Sequence, residues 1–71
     1  MAAKTIDPQT IGERLRTLRG TRTQKEVGDA VGVTPMAISQ YERGERVPSD
    51  NIKMTLARYF NTTVDAIFFT F

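Results

Sequence analysis

Residues 23–44 read TQKEVGDAVGVTPMAISQYERG, a run that carries two helix-start signals, at Thr23 and Thr34. Thr23-Gln24-Lys25-Glu26 forms a capping box: the threonine oxygen can accept from an early helix amide, and the glutamate three residues on can return the bond. The helix it opens carries Val27 and Val31 on one face and is closed by Gly32. Thr34-Pro35 repeats the start signal, a cap residue before a proline at the first helical position, and this second helix stops before Gly44. Only Gly32 and Val33 separate the first helix from the second cap. So short a connection holds the two helices at a fixed, steep angle.

Residue types at fixed offsets make the pair a helix-turn-helix over residues 24–43. Counting from Gln24, Val27 and Val31 at the fourth and eighth positions are apolar and face a core. Gly28, at the fifth, is small where the second helix crosses closely. Gly32, at the ninth, sits in the turn, where a positive φ costs glycine little. Val33, Ile38 and Tyr41, at the tenth, fifteenth and eighteenth, are apolar and seat the second helix. All these positions comply.

Outward from the motif, the punctuation predicts five helices in all. Asp7-Pro8 starts a first helix with Ile11, Leu15 and Leu18 on one stripe, ending near Gly20. Downstream, Val47-Pro48-Ser49 ends a polar loop, and Ser49 caps a fourth helix with Ile52, Leu56, Ala57 and Phe60 inward. Asn61-Thr62 breaks that helix. Thr63 then caps a short fifth one, where Val64, Ile67 and Phe68 close over the core. The expected architecture is all-α and compact: residues 1–7 form a flexible N-terminus and 8–71 a single domain.

Composition narrows the function. With 71 residues, 39% hydrophobic and 25% charged, the chain is an ordinary small globular domain. It has no cysteine and no histidine, which removes disulfides, thiolate metal sites and the commonest general base. Carboxylates, lysines, tyrosines and hydroxyls form no phosphate loop and no paired-acid constellation, so an enzyme is not expected, nor a cofactor, a metal or a small-molecule substrate. No apolar run spans a membrane and no signal-peptide core opens the chain; a cytoplasmic, nucleoid-associated protein is expected. The net charge is +2, and six of the ten basic residues (Lys4, Arg14, Arg16, Arg19, Arg22 and Lys25) fall within the first 25 positions. That bias suits a polyanionic partner and equally a solvated helix face.

The motif and its flanks resemble the lambda-repressor and Cro-like, or XRE-type, helix-turn-helix family. The pieces that carry the resemblance are Thr23-Gln24, Gly32-Val33-Thr34, Ile38 to Gly44, Leu56-Ala57, and Val64 to Phe68, in order and within residues 11–68. The resemblance implies a five-helix domain that lays its third helix in the major groove of double-stranded DNA. The expected function is that of a sequence-specific transcriptional regulator of the small prokaryotic or phage repressor type. Base edges are then read by Thr34, Pro35, Met36, Ser39 and Gln40. The Gln40 amide can donate and accept together, matching adenine N6 and N7, and Met36 can lie against a thymine methyl. Gln24 takes the place over the DNA backbone, where the amides of a helix start favour an anion. Lys25, Arg43 and Arg46 are the further phosphate candidates. Glu42, an acid beside DNA, is expected to turn inward and pair with Arg19 of the first helix.

Three features depart from the family pattern. The connection from Leu18 to Gln24 is shorter than in many relatives. Arg22 precedes the capping threonine where an apolar residue usually stands, so the hydrophobic staple is missing or supplied by arginine methylenes. Pro35, Met36 and Ala37 place three apolar residues at the start of the reading helix. That start also suits a protein groove, so the alternative reading is a protein-directed regulator that binds a partner repressor protein through its helix-turn-helix surface. The resemblance further implies a homodimer on DNA, meeting through the end of the fourth helix and the tail, with Tyr59, Phe69 and Phe71 as candidate interface residues.

Overall fold

The computed structural model describes residues 4–70. Its helices are α1 (Pro8–Arg19), α2 (Gln24–Val31), α3 (Pro35–Glu42), α4 (Asp50–Tyr59) and α5 (Val64–Phe68). Each begins at the cap readable in sequence. Asp7, Thr23, Thr34, Ser49 and Thr63 accept from the amides of Thr10, Glu26, Ala37, Ile52 and Ala66 at 3.0–3.5 Å. The capping box is half formed: among the described residues the Glu26 carboxylate makes no return bond and stays in solvent. Gly32 takes the left-handed conformation at φ 85° and ends α2. Asn61, with φ 56°, turns the chain out of α4.

Helices α1 to α3 meet almost backbone to backbone. A Cβ at Gly12 would collide with the Glu42 carbonyl oxygen and lie 2.8 Å from that of Tyr41. One at Gly28 would lie 2.7 Å from the Val33 carbonyl oxygen. Glycine at these two positions lets α1 and α2 close on α3 without a side chain between them. The core inside this cradle is Ile11, Leu15, Val27, Val31, Ala37, Ile38, Tyr41, Leu56, Ala57, Ile67 and Phe68. Leu18, Val33, Ile52, Phe60 and Val64, expected inward, are only half-buried and pack around its edge. Each of the large, fully enclosed side chains (Phe68, Ile11, Leu56 and Ile67) contributes about 1.5–3 kcal/mol relative to exposure.

The class is all-α, with one addition. Strand β1 (Lys4–Thr5) pairs antiparallel with β2 (Phe69–Thr70), Lys4 opposite Thr70 and Thr5 opposite Phe69. The Ile6 amide extends the pairing to the Phe68 carbonyl at 3.4 Å. Residues 4–7, expected within a flexible segment over residues 1–7, lie in this pairing or in the cap of α1. The chain leaving α5 runs back beside the start of α1, so these amides and carbonyls find partners, and Asp7 is tied down as a cap. Residues 1–3 lie outside the described part.

Candidate nucleic-acid interface

Helix α3 is two-sided. Ala37, Ile38 and Tyr41 point into the core, while Thr34, Pro35 and Met36 are exposed and Ser39 and Gln40 half-buried. The five base-reading candidates thus share the start and middle of one helix, with Met36 the most prominent large apolar side chain at 61% exposure. The apolar start is two residues rather than three, because α-helical spacing turns Ala37 inward. The Thr34 oxygen is occupied, accepting from the Ala37 amide at 3.1 Å, which leaves its O–H free to donate outward.

One carboxylate sets the angle of this helix. Glu42 Oε2 accepts from Arg19 Nε at 2.6 Å, and Oε1 accepts from Arg19 Nη2 at 3.0 Å and Gln24 Nε2 at 3.1 Å. The side chains of Arg19 and Glu42 are 18% and 6% exposed. Arg19 Nη1 also donates to the Arg22 carbonyl at 2.7 Å. The hydrogen bonds to Glu42, opposed by partial burial and helped by the carboxylate's charge, hold the Arg19 guanidinium above its ordinary range. A single acid therefore joins α1, the first residue of α2 and the last of α3. The Gln24 side chain, given by the resemblance to the DNA backbone, spends a donor on this network.

The remaining phosphate candidates flank α3. Lys25 Nζ lies 2.7 Å from Asp29 Oδ2 one turn along α2, and this hydrogen bond and charge raise the lysine above its ordinary value. Arg43, the C-cap of α3, has Nη2 3.1 Å from Glu45 Oε1. The exposed Arg46 carries its guanidinium 5.7 Å from the Tyr41 ring centroid.

Two arginines have structural roles that local sequence does not announce. Arg22 does more than lend methylenes. Its guanidinium lies 5.1 Å from the Tyr59 ring centroid and 5.0 Å from that of Phe60, and it donates to the Leu18 and Arg19 carbonyls at 2.6 and 3.1 Å. Arg14 Nη1 donates to the carbonyls of Ala66, Ile67 and Phe69 at 2.9, 3.5 and 3.1 Å, closing the end of α5. Of the candidate interface aromatics, Tyr59 is thus engaged under Arg22 and Phe69 is half-buried against the core. Phe71 lies outside the described residues. No helix among the described residues is long and apolar enough to cross a membrane.

The helix-turn-helix family model matches residues 13–67. The chain belongs to the helix-turn-helix family of the lambda-repressor, or XRE, type. This helix-turn-helix protein is similar to the P22 c2 repressor, solved in complex with synthetic operator 9T. The identity is 34%, the match covers 83% of this chain and 92% of that one, and the TM-score is 0.80. It is also similar to the restriction-modification controller protein C.AhdI from Aeromonas hydrophila, with 26% identity, coverage of 84% and 94%, and a TM-score of 0.76. The SOS-response transcriptional repressor LexA from Eubacterium rectale is 26% identical over 86% of this chain and 69% of that one, with a TM-score of 0.78. No curated protein sequence matches it.

Proposed function

We propose that this DNA-binding transcriptional regulator reads its operator by laying the start of α3 in the major groove, with Gln40 as the main sequence-reading side chain. Its amide pairs with adenine N6 and N7, Met36 and Pro35 lie against thymine methyls, and the Ser39 and Thr34 hydroxyls add single hydrogen bonds. Lys25, Arg43, Arg46 and the backbone amides opening α2 meet phosphates on either side, with Gln24 held against Glu42 at that helix start. The observation that carries the reading is the two-sidedness of α3, one face locked in the core and the other open along its first turns. Two copies on half-sites one DNA turn apart, about 34–36 Å between reading helices, give such a short helix enough sequence to read.

A salt titration of binding to the protein's own upstream DNA tests this. Binding is expected to fall with a log–log slope near −0.9 per phosphate neutralised. Gln40→Ala is expected to lose about 1–3 kcal/mol on the operator and nothing on unrelated DNA. Sedimentation with and without operator reports the two copies. A folded chain whose binding lacks a steep salt slope overturns the reading in favour of a regulator directed at a partner repressor protein.

A further inference from the structure

The fold gives each of two exposed cations beside α3 a carboxylate of its own. Lys25 is matched by Asp29 at 2.7 Å and Arg43 by Glu45 at 3.1 Å. All four side chains are more than half exposed, at 75% and 62% in the first pair and 55% and 53% in the second. Exposed pairs of this kind contribute little to stability. They differ in this from Glu42, whose carboxylate joins three helices. Both stand where a phosphate is to be met, one at the start of α2 and one just past the end of α3.

We propose that Asp29 and Glu45 are affinity-setting residues, competitors that occupy the Lys25 and Arg43 donors and place negative charge beside the DNA strands. The inference rests on the phosphate contacts of the preceding section. On binding, each cation divides its donors between its carboxylate and a phosphate, and the carboxylate then stands beside a like charge. A carboxylate about 6 Å from a phosphate in a water-like medium weakens binding by about threefold. Neither acid distinguishes one base pair from another, so both weaken operator and non-operator DNA alike. Discrimination stays with the base-facing side chains of α3, and the chain is kept from being retained on unrelated DNA.

The test compares Asp29→Asn, Glu45→Gln and the double variant with Glu13→Gln, by fluorescence anisotropy on upstream and scrambled duplexes. Glu13 is exposed in the groove between α1 and α5, and its substitution changes the net charge by the same amount. Each variant at the pairs is expected to bind both duplexes about threefold more tightly at low salt, and the double variant about tenfold. The salt slope steepens by up to about 0.9 per acid removed. Glu13→Gln is expected to leave affinity and slope unchanged. Asp29→Asn and Glu45→Gln binding no tighter than Glu13→Gln overturns the proposal. Lys25→Ala and Arg43→Ala separate the two levels. If they weaken binding while the acid variants do nothing, only the competition fails; if they too have no effect, the phosphate assignment falls and takes the competition with it.

Discussion

The two sides of this small core are held together by different physics. On the α1–α2–α3 side, glycines bring backbones into contact and one partly buried carboxylate collects three hydrogen bonds from two helices. On the α4–α5 side, large side chains fill space. Phe68 is fully enclosed, the Lys53 ammonium lies 5.5 Å from its ring centroid, and Arg22 sits over Tyr59 and Phe60. Backbone contact and bidentate charge pairing are short-ranged and directional, so they set the pose of α3 closely. Aromatic packing is less directional and supplies free energy. The side that holds α3 is built for angle, and the other side for stability.

Substitutions can break this division, and the largest effect is expected on the aromatic side. Phe68→Ala is expected to cost about 4 kcal/mol, measured by urea unfolding, through lost burial and the cavity left behind. A chain of this size has roughly 4–10 kcal/mol in all, so the variant loses from about two-fifths to all of it. Its DNA affinity, corrected for the unfolded fraction, is expected to be unchanged; a loss there would show that α4 and α5 also pose α3.

Gly12→Ala comes next, at about 3 kcal/mol, because the new methyl must push back the Glu42 backbone. Here the corrected DNA affinity is expected to fall as well, since α3 is displaced. Glu42→Gln is expected to cost about 2 kcal/mol, less than a fully buried pair because Arg19 is partly solvated. It should also weaken DNA binding by releasing Gln24. An unaltered urea midpoint would remove Glu42 from the role given to it.

The smallest effect is at the start of α1 and appears only in acid. Hydrogen bonds from the Thr10 amide and hydroxyl hold the Asp7 carboxyl below its ordinary value of 3.8. The stabilisation is complete above that value and is lost as pH falls through the lower native one. Asp7→Asn keeps the cap without the charge, so its melting temperature is expected to vary less than the wild type's over that acidic window. Equal pH dependence of the two would mean that Asp7 is not a source of acid lability.

Local signals proved the most readable part of the chain. Every helix start lay in plain view at Asp7, Thr23, Thr34, Ser49 and Thr63, because a cap bonds an amide only three residues away. Arg14 showed no such sign, its carbonyl partners lying 52 to 55 residues along the chain. Gly12 was equally silent, a glycine inside a helix whose reason is the backbone of another helix. The β1–β2 pair of two residues each has no periodicity long enough to read. At the candidate interface, the exposed face of α3 follows from its helical spacing, and Ala37, one of the three apolar residues at its start, lies on the inner face.

Sequence alone thus places each helix start, the two-residue turn that angles α2 against α3, and the apolar spacing that seats α3 on the core. Those properties depend on neighbours within about one helical turn. Tertiary packing alone shows that Glu42 holds Gln24 as well as Arg19, and that Arg22 and Arg14 bind the chain's later elements to its first helix. Such pairings depend on where separate elements meet in space, and a side chain's charge does not name its partner until the fold has brought the two within reach.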